Sequence, residues 1–263
     1  MIDWRHWHNE PYLTGGLILA GWLYAILAGP LRAVLAPGRP YPRGQAVQFY
    51  SALAIFYLAV GSPLDQIGER FLLSAHMAQH LLIMYPVPLL ILLGTPAWMA
   101  DLALSRPGLR TPLRMLFRPF VCAVLSTAVI SLWHAPALYE WTLQDKLAHV
   151  GEHLMFLAAS LLYWWPLASP SAAFPSPGYG VRMLYVVGTE VAMIPVSAYI
   201  VFSRDILYPT YEYAPRLIAG FTPADDQLLA GIIMKSVGMA VSLTVLGVCF
   251  FKWSRSSQAE PAA

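Results

Sequence analysis

The sequence predicts an all-α, polytopic transmembrane helical bundle of seven spans, on three observations. Apolar side chains make up 58% of the 263 residues and charged ones 11%, whereas a soluble domain carries about 45–50% and about 25%. Seven apolar runs approach or exceed the roughly 20 helical residues needed to cross a hydrocarbon core of about 30 Å. None alternates with the period of two that barrel strands require, so the backbone amides must be satisfied within helices.

The runs follow one another with short polar breaks. A short N-terminal arm, residues 1–13, precedes a first span over Thr14–Val34. The arm holds one arginine, Arg5, against Asp3 and Glu10, and Arg32, Arg39 and Arg43 follow the span, which argues for a retained helix over a cleaved signal peptide. The second span, Ala46–Gly61, is short. The third, Leu72–Leu93, contains Pro86 and Pro88 and is expected to kink there. The fourth, Pro119–His134, is short again, and the fifth runs over Asp145–Pro166. Pro195 interrupts the sixth, Gly180–Phe202, and the seventh, Asp226–Phe251, leads into a polar tail over residues 254–263. No repeat stands out, and a single transmembrane domain over 1–263 is the simplest organisation. Trp98, Trp133, Trp141, Trp164, Trp165 and Trp253 fall at span ends, where amphipathic rings anchor at the interface.

Basic residues set the expected orientation. Arg106, Arg110, Arg114, Arg118, Arg182, Lys252 and Arg255 join the three arginines after span one on one side, against Arg5, Arg70, Lys146, Arg204 and Arg216 on the other. The richer side is cytoplasmic, so the N-terminus lies outside, the C-terminus inside, and the expected location is the inner (plasma) membrane. A net charge of +2 is far too small for a nucleic-acid footprint. Two cysteines, Cys122 and Cys249, both in apolar runs, do not make a disulfide framework.

The histidines carry the chemistry. His76 and His80 open the third span, His134 closes the fourth, and His149 and His153 open the fifth, so three stretches deliver imidazole to one depth near the outer face. An i, i+4 pair places its rings about 40° apart and one turn above each other, which lets both reach one ion. A single intramembrane histidine is ordinarily a satisfied core residue; five at a common depth point to a transition metal, held by neutral imidazole. Glu152 shares the face of the second pair, spelling HxxEH, and is expected to orient a histidine or to join the ligands. Met77, beside the first pair, offers a soft sulfur that favours Cu(I) over zinc, although a methionine in a span is more often core. Cys122 precedes His134 by about 18 Å of helix and should not reach the cluster. His6 and His8 form a His-x-His in the arm that either passes an ion inward or is merely solvated. Glu190 and Lys235, mid-span in the sixth and seventh helices, are expected to pair.

Two blocks, HMAQHLLIMYPVPLLILLGTPAW from His76 to Trp98 and WHAPALYEWTLQDKLAHVGEHLMFLAASLLYWWPL from Trp133 to Leu167, resemble the CtaG-type cytochrome c oxidase assembly factor family. The resemblance extends from about the second span to the seventh. It implies a seven-span membrane protein that matures haem–copper oxidases by handling copper, with His76, His80, His134, His149, His153 and Glu152 as the residues carried over. It supplies the metal and the partners: copper, with zinc second, a haem–copper oxidase subunit, and a periplasmic copper carrier as a further candidate. No Cys- or Met-rich copper domain accompanies these spans, which leaves the outer loops or the arm to receive the ion.

Other readings remain open at this point. HxxEH also suits an intramembrane metallohydrolase whose metal-activated water attacks a peptide or lipid bond, with Glu152 as base. Axial histidines on two helices suit a haem. Transport along Glu190 and Lys235 lacks the inverted repeat that many transporters show.

Overall fold

The computed structural model of the chain describes residues 7–259, and all regular structure among them is helical. In order these are α1 (Pro11–Ala28), α2 (Arg32–Leu35), α3 (Arg43–Gly61), α4 (Pro63–Arg70), α5 (Leu73–Met84), α6 (Pro86–Gly94), α7 (Ala97–Leu104), α8 (Arg110–Leu116), α9 (Pro119–Trp133), α10 (Pro136–Gln144), α11 (Lys146–Ala168), α12 (Tyr179–Ala192), α13 (Ile194–Phe202), α14 (Pro209–Tyr213) and α15 (Pro223–Ala259). Five segments are long and apolar enough to cross a bilayer: α1, α3, α5 with α6, α12 with α13, and α15. A sixth is added if α8 and α9, bent by 68° at their junction, count as one span. Among the remaining helices α11 has 23 residues, ample for a crossing, but His149, Glu152 and His153 make its first turns polar.

The expected boundaries need two corrections. The first span stops at Ala28 instead of Val34, because Gly29 and Pro30 break the helix and only the four-residue α2 follows. The last helix passes Phe251 and continues to Ala259, so the polar stretch over 254–259 is helical.

Proline explains the internal breaks. Pro86 starts α6 after Tyr85, and Pro195 sits in the first turn of α13 after Met193. With no N–H, Pro88 leaves the Met84 carbonyl without its helical donor. The Trp164 indole N–H donates to that carbonyl at 3.0 Å. Trp164 and Trp165 are buried against Leu92 and Phe174, and Trp133 packs on Ile83 and Phe156. These three expected interfacial anchors are core residues, whereas Trp141 and Trp253 are exposed.

The segment from Leu73 to Gly94 forms the centre of the bundle. Half of it is buried, against 11% for α1. Gly94 lets α6 cross α3 closely: a Cβ there would lie 2.6 Å from the Phe49 amide nitrogen, and Tyr24 from α1 donates to the Gly94 carbonyl at 2.9 Å. At the other end, buried Asp226 of α15 caps α5, accepting from the Leu73 N–H at 2.7 Å and the Ser74 N–H at 3.0 Å. Free amides at a helix N-terminus need such an acceptor when buried. That cap fixes the turn carrying His76.

Candidate metal centre

Three helices converge as the spacing predicts. α5 presents His76 and His80, α11 presents His149, Glu152 and His153, and His134 ends α9 as its C-cap. All six side chains are buried. Ring centres lie 4.3 Å apart for His76 and His80, 4.2 Å for His149 and His153, and 5.4 Å for His76 and His149 across the two helices. His80 lies 5.5 Å from His153 and 6.2 Å from His134.

Four of these residues form the tightest group. His76, His149, Glu152 and His153 each offer one donor atom, and all four atoms lie within 4.8 Å of one another. A tetrahedral ion with bonds of about 2.0–2.2 Å separates its donors by about 3.3–3.6 Å, which small side-chain rotations would reach. His80 approaches from the side, its Nε2 3.8 Å from a Glu152 oxygen, as His76 Nε2 is at 3.9 Å. His134 stands outside this group, next to His80.

Proton accounting shows which nitrogens are available. His134 Nδ1 lies 2.7 Å from the Ile130 carbonyl oxygen, which only accepts, so Nδ1 carries the proton and Nε2 a lone pair. Tyr211 donates its single hydroxyl proton to the Gly68 carbonyl at 2.7 Å. Its oxygen therefore accepts from His76 Nδ1 at 2.9 Å, which leaves His76 Nε2 bare. On the far side of His149, Nε2 faces Glu69 at 3.2 Å and Asp65 at 3.3 Å, an outer carboxylate arrangement that raises ligand basicity and directs Nδ1 elsewhere.

The atoms left over are those a metal would take. Among the described residues, His76 Nε2, both nitrogens of His80, His134 Nε2, His149 Nδ1, His153 Nε2 and both oxygens of Glu152 are buried with no hydrogen-bond partner. Each such atom costs about 1–3 kcal/mol. Neighbouring groups that all lack partners make a folded core only if something else satisfies them.

Several residues were not evident from sequence. Asp65 and Glu69 on α4, with His149, form a second set of donors within 4.8 Å. Burial and the neighbouring Asp65 charge push the Glu69 carboxyl up from the usual range. Their i, i+4 spacing on a short acidic helix was the signal available. Gln79 donates to Asp65 at 2.5 Å, and Tyr139 and Tyr208 wall the cluster with Tyr211. His8 packs beside it, 3.4 Å from Asp65 and 3.1 Å from Glu10, while His6 lies outside the described residues. Partial burial works to raise the Glu10 carboxyl, but hydrogen bonds from Lys146, from a backbone amide and from His8 outweigh it and hold the group at about 2. Met77 is buried among Leu73, Tyr139, Tyr208 and Tyr211. Cys122 packs away from the cluster against Tyr185 and Val186.

The model of the cytochrome c oxidase caa3 assembly factor family (Caa3_CtaG) matches residues 22–256. The chain belongs to that family. Membership gives it a role in assembling cytochrome c oxidase and, with that role, a haem–copper oxidase as partner. The matched region contains α3 to α14 entire, and so every residue of the histidine cluster. No curated protein and no solved structure matches the chain.

Proposed function

We propose that this caa3 assembly factor is a non-enzymatic metal-holding protein that binds copper at an outward-facing histidine centre and delivers it to a subunit of the haem–copper oxidase. Buried donor atoms without partners, on His76, His80, His134, His149, Glu152 and His153, carry this reading. In it, His76, His149, Glu152 and His153 hold the ion, His80 and His134 stand beside them, and Met77 supplies a soft sulfur at the edge. Copper is the cargo, Cu(I) its favoured state and zinc the second candidate, because imidazole suits both metals and thioether only the first.

The membrane arrangement that goes with this function has seven spans in the inner (plasma) membrane. α9 and α11 join the five long apolar segments, the N-terminus lies outside and the C-terminus inside, in keeping with the arginine-rich side. The His8 arm and the acidic α4 then lie on the outer face, where a periplasmic carrier would hand over its ion.

The HxxEH group keeps a metallohydrolase as the second reading, since Glu152 lies among the donors. A haem gripped by one histidine from each of two helices is a third reading, and an absorption spectrum of the pure protein without a Soret band removes it. Oxidase maturation in cells separates the two that remain. Loss of copper-containing oxidase in His76→Ala with His153→Ala, with a substantial fraction kept in Glu152→Gln, supports the carrier. Full maturation in the double-histidine variant contradicts it, and complete loss in Glu152→Gln with metal still bound favours hydrolysis.

A further inference from the structure

A half-open cavity of about 60 Å³ lies beside the four-donor group, large enough for a few waters or an ion. His80 and His134 line it, and so do four of the ten methionines, Met77, Met84, Met193 and Met234, among apolar and hydroxyl side chains. Met77, His80 and Met84 share one face of α5 at i, i+3 and i+7. Met193 comes from the break between α12 and α13, and Met234 from α15. Lys235 also lines it, ion-paired with Glu190, whose second oxygen accepts from Ser242 at 2.8 Å.

Core filling alone does not account for this wall. His80 is 2% exposed with neither nitrogen partnered, and His134, 4% exposed, turns its bare Nε2 away from the Ile130 carbonyl. Buried Ser160 Oγ, also on the cavity wall, lacks a partner as well. The centres of the two imidazoles are 6.2 Å apart. Two metal–nitrogen bonds of about 2.0 Å and the half-width of each ring account for about that separation. The four-donor group above includes a carboxylate, a hard ligand, and has one thioether, Met77, at its edge. The cavity offers thioether sulfur, which selects Cu(I).

We propose that this cavity is a second, separate metal station, specific for Cu(I), in which His80 and His134 hold the ion and the thioethers of Met84, Met193 and Met234 surround it. It rests on the copper-holding function and adds an inner stop, beside the Lys235 ammonium. An ion passed down from the four-donor group would wait there, below the outer face and within the bundle, before transfer.

The test uses the full chain purified in detergent, with Cu(I) titrated against a chromogenic chelator and copper X-ray absorption recorded on the loaded protein. Wild type should hold two Cu(I), with sulfur among the scatterers. Met84→Leu/Met193→Leu/Met234→Leu, which conserves volume, should lose most of the sulfur signal, keeping at most the one sulfur of Met77, and weaken one of the two ions by at least about tenfold, the least that losing an outer partner of a ligand costs. His149→Ala/His153→Ala should lose the other ion and keep the sulfur signal. Two ions with unchanged affinity in the methionine variant, or no sulfur in wild type, overturns the inner station while leaving copper holding intact. Loss of all copper in either variant shows one centre and overturns it too. Wild type that retains no Cu(I) at all overturns both readings.

Discussion

Tyr211 gives its only proton to the Gly68 carbonyl, and so settles which nitrogen of His76 faces the cluster. Tyr211→Phe removes that acceptor and should weaken metal binding about 10–100-fold while circular dichroism stays helical. Unchanged affinity would mean that His76 is oriented by packing alone. The histidines were legible in the sequence because i, i+4 pairs stand out in apolar runs. Tyr211 was not, and Asp65 and Glu69 showed only their i, i+4 spacing, since all three reach the cluster from segments between the apolar runs whose docking no local pattern encodes. Glu10 shows a different residue-scale effect. Its carboxyl is held at about 2, below the ordinary 4.5, so the tether it makes to Lys146 is present above the ordinary value and lost as pH falls through the lowered one. Trp7, stacked on Tyr57 at 5.8 Å, reports the arm: its emission should hold steady from neutral pH to about 4.5 and change only as pH approaches 2. A change complete above 4.5 would show that the tether does not hold the arm.

Helices were read well where composition decides and less well where a neighbour does. Third and sixth spans break where Pro86 and Pro195 require, but the ends of the first and last depended on Gly29 and Pro30 and on the helical continuation past Trp253. The three tryptophans now in the core were misplaced because an indole at a span end looks the same whether lipid or another helix covers it. One of them, Trp164, satisfies a carbonyl that Pro88 frees, a pairing 80 residues apart in sequence that no local pattern encodes. Asp226 is the element-scale test. Asp226→Ala orphans two buried amides at the start of α5, at about 1–3 kcal/mol each. Thermal unfolding in detergent should move to lower temperature and metal affinity should fall with it, because the capped turn carries His76. An unchanged melting temperature would show that α5 is held without the cap.

At the scale of the molecule, the bundle brings three helix ends together and leaves their donor atoms without partners among the described residues. Their convergence was visible in the sequence because the histidines open the third and fifth apolar runs and close the fourth. Which four donors form the tightest group was not, since it depends on how α5 and α11 rotate against each other, and Gly68 and Asp226 help fix the rotation of α5. Bound metal should be released as pH falls through the histidine range, because protons compete for the same lone pairs. Elemental analysis of the purified chain after copper exposure, beside a variant with His76, His80, His134, His149 and His153 all replaced by alanine, tests the central claim most directly. Copper retained through dialysis by the first and absent from the second is the expected result; equal copper in both, or none in the first, contradicts it.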